Sequence, residues 1–407
     1  RAGFGANAKE IRHFSDLGVE KTVDHLLDYE MVDDSALEIK LAELDWDLET
    51  FQGLRSWWFA RMVYTKRPLQ EKMVLFWHGL LTSEIRKVGR GPMMYEQNEL
   101  YRRNALGSYD SFLKDVIRDP AMLIYLDNRS SRKESPNENF SRELLELFTL
   151  GVGNYGEHDV RESARAFTGY SLQRRGRTNL QEFVFRSRWH DWDRKEFMGE
   201  VGDFDGDQIV DIIVKQPSAA QFITQRLFSY FAYDDPDLST IDRIAQVFVD
   251  SHYNVKELVQ AILTSPEFYS NLAYRSKVKS PIELIVSTYR LLDIDTDGRS
   301  LQYLAQSMGQ TAFDPPSVEG WTGGVAWINS TTLINRVNFA NQISAQYKGR
   351  IRNALQSANR SDLTEHFIAL LLDGNLSQEE RLALNEFIQD VESLGSPIGS
   401  ARQRDWD

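Results

Sequence analysis

"PLQEKMVLFWHGLLTSE", residues 68–84, decides how the chain reads. A surface helix keeps one polar face, but this stretch is apolar nearly all round, so it reads as a helix buried at the centre of a helical protein. Pro68 stands where a first helical residue belongs, because its missing N–H is not needed in the first turn.

Helical periodicity continues outward on both sides. "LETFQGLRSWWFARMVY" (48–64) is a second, longer helix, and "SDLGVEKTVDHLLDY" (15–29) carries an apolar stripe at 19, 23, 26 and 27. Residues 95–128 read as two more helices, punctuated at Gly107 and Pro120. Further helices are expected over 208–232, 238–249, 253–264, and near 281–292 and 299–308. The pattern breaks twice. Around 171–207, "LQEFVFRSRWHDWDRKEFMG" (180–199) alternates and is rich in aromatics, which predicts a short β-hairpin or an irregular excursion. "FDPPSVEGWTGGVAWINSTT" (313–332) is dense in Pro, Gly and Trp, and a structured loop of that length is often functional. The tail from 361 reads as one or two polar helices and then a Gly/Ser/Pro fray.

Length alone, 407 residues, allows two or three domains at about 150 residues each. No segment has the composition of a flexible linker and no repeat is visible. The expectation is therefore mainly α: one compact multi-helix body over 1–345, with the excursion and the long Pro/Gly/Trp loop set into it, and a helical tail over 346–407.

Composition narrows the chemistry. Net charge is −13, a field that repels phosphate backbones and argues against nucleic acid. There is no cysteine, which removes disulfides, thiolate metal sites, iron–sulfur clusters and a cysteine nucleophile. No run approaches the ~18 apolar residues of a membrane span. The chain opens at Arg1 rather than Met, as a mature or trimmed form would.

The stretch richest in candidate chemistry is "SPNENFSRELLELFTLGVGNY" (135–155). Ser135, Pro136 and Glu138 read as a helix start with a capping box. Phe140, Leu144, Leu147 and Phe148 share the face expected to be buried. Asn139, Arg142, Glu143 and Glu146 fall within about 100° on another face, and Gly151 ends the helix. That second face is either a solvated surface laced with Glu138–Arg142 and Arg142–Glu146 pairs, or the wall of a polar site. The flanks add polar groups: Asp127, Asn128 and Arg129 before the helix, and His158, Asp159, Arg161 and Arg165 after it. Convergence of the three segments would suit general acid–base work or an anionic substrate.

Other residues carry two readings each. His78 lies in the buried helix seven residues after Glu71, either as a satisfied core histidine or as a catalytic or metal-binding group. His190 and Asp191, with Asp193 and Lys195 nearby, form either a polar turn or a weak site for a divalent metal, the one cofactor kept open. Asp203, Asp205, Asp207 and Asp211 fall on calcium-loop spacing, yet Gln208 stands where that loop needs Gly and Val214 where it needs the bidentate Glu. Acids ahead of a helix also favour its positive end without any metal. Trp321 and Trp327 either stack on a sugar or planar ligand or lock their loop to the body. Phosphate-binding, dinucleotide and nucleophile-elbow motifs are absent.

Several stretches together resemble one bacterial family, catalogued as domain of unknown function 1800. They are "RAGFGA", "PLQEKMVLFWHGLLTS", "QNELYRRNALGSY", "RDPAMLIYLDN", "PNENFSRELLELFTLGVGNY", "DVRESARAFTGY", "FDGDQIVDIIV" and "MGQTAFDPPSVEGWTGGVAWINSTTLINRVNFA". The likeness runs from residue 1 to about 345 and is weaker beyond. The family commonly carries export signals and often accompanies a second exported family resembling sulfatases. The resemblance therefore implies an extracytoplasmic location and a connection to a polysaccharide or other surface polymer. It transfers no catalytic residue.

Two expectations follow. In the first, the protein is a hydrolase or lyase. Glu143 and Glu146, with His78 as a further catalytic candidate, act as acid and base. Asn139, Arg142, Arg165, Asp127 and Asn128 bind substrate, and Trp321 and Trp327 form a wall. In the second, it is a non-catalytic binding or assembly module for a sulfatase-like exported partner, and the polar face is a packing network.

Overall fold

Ten successive residues of the helix Phe51–Tyr64, from Leu54 to Val63, are buried, and so is most of Pro68–Leu80. These two helices hold Trp58 and Trp77, both fully enclosed. At roughly 200 Å² each, such rings contribute on the order of 5 kcal/mol apiece through burial. Their polar ends are satisfied: Trp58 Nε1 donates to Glu71 at 3.1 Å and Trp77 Nε1 to the Ala105 carbonyl at 3.1 Å.

The computed structural model describes residues 1–176, 180–346, 365, 368, 372 and 376–393. It is mainly α-helical and divides into two units, Arg1–Asn329 and Ser330–Asp407. In the first unit, Pro68–Leu80 packs against Gly91–Arg103. Phe51–Tyr64 packs against Pro281–Leu291 and Arg299–Ser307, and Pro217–Phe231, Leu238–Asp250 and Val255–Leu263 form a neighbouring stack. In the second unit the described helices include Ser330–Gln346 and Gln378–Ser393. Most of the expected tail from 361 lies outside the described residues.

Several expected helices are divided where the backbone requires it. The stretch 15–29 breaks at Gly18, whose φ of 77° admits no further helix, giving Ala8–Leu17 and Val19–Leu27. Residues 95–128 give three helices rather than two: Gly91–Arg103, Tyr109–Val116 and Pro120–Tyr125. Pro217 restarts the chain after Gly206–Val214, because it cannot donate within a helix interior.

The excursion is two antiparallel hairpins. Strand β1 (Tyr170–Arg174) pairs with β2 (Gln181–Phe185), and β3 (Lys195–Phe197) with β4 (Glu200–Gly202). The long loop is pinned at several points. Ile85 N donates to the Phe313 carbonyl at 2.8 Å and Thr82 Oγ1 to the Val318 carbonyl at 2.7 Å. Gly320, at φ 77°, lies so close to Gly79 that a Cβ would stand 2.3 Å from its carbonyl oxygen.

A carboxyl cluster on a π-helical turn

The helix in the 135–155 stretch starts two residues later than its composition implies. Asn137 is the cap: its side chain accepts from Phe140 N at 3.3 Å and donates to the Leu126 carbonyl at 2.7 Å. Ser135 does not cap, because it bridges back to Arg132. The α-helix Glu138–Glu143 then passes into a π-helix over Leu144–Thr149. Leu150 N donates to the Leu145 carbonyl at 2.8 Å, and Thr149 Oγ1 to the Leu144 carbonyl at 2.6 Å. One extra residue per turn spoils the 100° spacing. Leu147 is therefore only half-buried, while Leu144, Leu145 and Phe148 fill the core. Single π turns are frequent at functional sites.

Around this turn the acids separate into distinct roles. Arg142 does not pair along its own helix; it makes a bidentate pair with Glu157 at 2.7 and 2.8 Å on the surface. Glu146 accepts a hydrogen bond from the Tyr155 hydroxyl. Burial and that carboxylate push Tyr155 up to about 12, so the phenol keeps its proton and donates it to the bond. Glu143 is half-buried. Burial raises its pKa above the usual carboxylate value, and the nearby charges of Glu146 and Glu319 raise it further, against a smaller pull from Arg142. Glu319 is exposed and comes from the Trp-rich loop pinned at Thr82 and Gly79. Tyr125 adds a buried phenol raised by burial and by the charges of Glu84 and Glu143. Glu146 and Tyr155 are thus in contact, and Glu143 lies within electrostatic reach of Glu146, Glu319 and Tyr125. Tyr155 closes the quoted stretch, and Glu319 sits two residues before Trp321, but neither stands out in sequence.

The remaining candidates go elsewhere. Asn139 is exposed on the first turn. Arg165 is taken up by Glu162 at 2.8 Å and Asp191 at 2.7 Å. Asp127, in the left-handed region at φ 58°, pairs with Lys87 at 2.7 Å. Asn128 is buried, with its Nδ2 3.4 Å from the Phe167 carbonyl and its Oδ1 without a protein partner. Trp321 packs 5.6 Å from the His78 ring, which locks the loop to the body, and Trp327 is buried.

His78 is a core histidine. Its Nε2 accepts from Phe313 N at 3.0 Å, Trp58 and Phe313 pack at 5.2 and 5.3 Å, and burial drives its pKa down to about 3. With that lone pair engaged and no solvent around it, the ring is a poor proton carrier at neutral pH. Glu71 does not face it directly; that carboxylate holds Arg102 and Trp58.

The weak metal candidates are likewise engaged. His190 is buried with Nδ1 2.8 Å from the Thr168 carbonyl, and burial keeps it below the usual imidazole value. Burial works against ionisation of Asp191, yet the Arg165 guanidinium holds it below the usual carboxylate range. Asp205 caps the Gly206–Val214 helix in a capping box with Gln208, Asp207 pairs with Arg118, and Asp211 pairs with Lys114 at 2.5 Å. Among the described residues no three His, Asp or Glu side chains are grouped to hold a metal ion.

A family described as "Protein of unknown function (DUF1800)" matches residues 1–397. The chain belongs to the DUF1800 family. The match covers the carboxyl cluster and runs past residue 345, into the stretch whose motifs are weaker. Neither the curated proteins nor the solved structures contain a match to this DUF1800 chain. Among its described residues no helix is long and apolar enough to cross a membrane. Two surface hollows of about 260 and 240 Å³ lie away from the cluster, one beside Glu10, Lys66 and Arg290, the other beside Trp46, Gln52 and Tyr303.

Proposed function

We propose that Glu143 is the general acid of a hydrolase or lyase acting on a polysaccharide or similar surface polymer, with Glu146 as the partnering base. The observation that carries this reading is the half-buried Glu143, raised in pKa by its setting, beside a second carboxylate held by Tyr155. A carboxyl that retains its proton nearer neutral pH can protonate a leaving oxygen, and a carboxylate beside it can accept a proton or steady developing positive charge. Tyr155 is a positioning residue that fixes Glu146. Glu319 brings a third carboxylate from the Trp-rich loop and raises Glu143 further. The family resemblance supports an extracytoplasmic setting for this chemistry.

Turnover across a panel of neutral and acidic polysaccharides and esters tests the reading. Glu143→Gln removes the transferable proton at nearly constant shape, and the expected loss is about 10²–10⁴-fold with the melting temperature unchanged. Equal turnover by the variant would refute the role of Glu143.

A second reading is favoured by one observation: polar side chains around the turn are already engaged with one another, Glu146 with Tyr155 and Arg142 with Glu157. In that reading the cluster is a packing and docking network of a non-catalytic module that assembles with an exported, sulfatase-like partner. Absence of turnover across the whole panel, together with co-purification of such a partner, is its expected signature.

A further inference from the structure

The chain is acidic overall, with 60 Asp and Glu against 47 Lys and Arg, yet one surface is the reverse. "RSSRK" (129–133) carries three cations and no acid, and it lies against the β1–β2 hairpin and the turn that follows it. Ser171 Oγ donates to the Arg129 carbonyl at 2.8 Å and Lys133 N to the Trp189 carbonyl at 2.8 Å, so the two segments are stitched together. The Arg132 guanidinium stacks on the Trp189 ring at 4.0 Å and that of Arg186 at 4.9 Å. Arg186 is also held by Ser171 Oγ at 3.1 Å and the Leu172 carbonyl at 3.1 Å.

Arg129, Arg132, Lys133 and Arg188 are exposed, and among the described residues none has a carboxylate within ion-pair reach. In the same turn Trp192 is 60% exposed. It is nevertheless fixed: its Nε1 donates to the Ser187 carbonyl at 3.1 Å, and the ring packs edge-on against His190 at 4.6 Å. One edge of the ring packs on Phe185 and His190, while more than half of it stays in water on the turn that carries Arg188. The interspersed acids do not neutralise the face: Asp191 is turned to Arg165, and Glu134 and Asp193 leave the cations in excess.

Guanidinium groups bind carboxylate and sulfate through paired N–H donors, and an exposed indole offers a flat apolar surface to a sugar ring. The exposed Trp192 ring favours a sugar polymer over a bare phosphate chain, which offers no ring to lie against it. We propose that the face formed by Arg129, Arg132, Lys133, Arg188 and Trp192 docks an acidic polysaccharide. The cations hold its carboxylate or sulfate groups and the Trp192 ring lies against a sugar. This face involves none of the Glu143 cluster and stands whether or not that cluster is catalytic.

The test is equilibrium binding of the full chain at low salt to alginate (carboxylate), dextran sulfate, neutral dextran and polyphosphate. Binding to one or both acidic polysaccharides but not to neutral dextran is expected, and the tighter of the two identifies the anion. The double variant Arg132→Glu/Arg188→Glu weakens that binding about tenfold or more. Trp192→Ala weakens it about fivefold for the sugars while leaving any polyphosphate binding unchanged. Glu143→Gln leaves binding intact, which separates this proposal from the catalytic one. If the double variant does not fold, Arg188→Ala and the salt dependence of the native chain give the same reading. No binding to either acidic polysaccharide overturns the proposal. So does unchanged affinity in the charge variants, or polyphosphate binding as tight as the sugars with no effect of Trp192→Ala.

Discussion

The Glu71 carboxylate and the Arg102 guanidinium form a doubly bonded ion pair between two central helices, with Arg102 Nη2 donating at 2.9 Å. Both side chains are almost wholly buried. Burial opposes ionisation of Glu71, but Arg102 holds it below the usual carboxylate range. Arg102 also holds Asn98 at 2.7 Å and Glu99 at 2.6 Å, so one guanidinium ties Pro68–Leu80 to Gly91–Arg103.

Removing one partner leaves a buried charge without its counterion. Glu71→Gln is expected to cost about 3–5 kcal/mol in urea unfolding, and Arg102→Met a similar amount. A cost below about 1 kcal/mol would show that water reaches the pair.

Two buried groups give opposite pH dependences. His78 titrates near 3 in the fold against an ordinary value of 6.5, so between these values the unfolded chain binds the proton and the native chain does not. Its contribution is fully present above about 6.5 and declines as pH falls toward 3, by at most about 1.4 kcal/mol per pH unit. Asp119 is buried, accepts from Gln97 at 2.7 Å and caps Pro120–Tyr125, and burial raises it to about 7 from 3.8. The native chain holds that proton through the same window, so the Asp119 contribution declines as pH rises from about 4 to 7. Melting curves across pH 3–8 should therefore show Asp119→Asn steepening the acid loss and His78→Asn flattening it.

Gly320 lets the Trp-rich loop lie directly on the end of the Pro68–Leu80 helix. Its φ of 77° and the 2.3 Å that a Cβ would leave to the Gly79 oxygen both exclude a side chain. Gly320→Ala is expected to lose about 1–3 kcal/mol and to speed proteolysis within residues 313–329, because the loop must lift to accommodate the methyl. An unchanged digestion pattern would contradict that tight seating.

The helical body was legible because burial on all sides writes itself into composition: Leu54–Val63 and the 68–84 stretch have almost no polar face, and both are central. The hairpins were visible as a switch from helical to alternating spacing. The site was only partly legible. Glu143 and Glu146 stand out, but the π turn over Leu144–Thr149 carries no residue signature, so a face drawn at 100° per residue places Leu147 fully inside, where it is half-buried. The pairing of Arg142 with Glu157 and of Arg165 with Asp191 depends on how helices and hairpins meet, which local spacing does not encode. Glu319 reaches the cluster only because Gly320 and Thr82 seat its loop.

Half-buried Glu143 lies within electrostatic reach of Glu146 and of the exposed Glu319. Carbon-13 NMR titration of the glutamate side-chain carboxyls, with Glu143 assigned by its absence in Glu143→Gln, measures this directly. The expected result is a Glu143 pKa above the ordinary carboxylate range that moves down in Glu319→Gln, since one of its neighbouring charges has been removed. A Glu143 that titrates in the ordinary range and ignores Glu319→Gln would contradict the cluster and the acid–base role built on it.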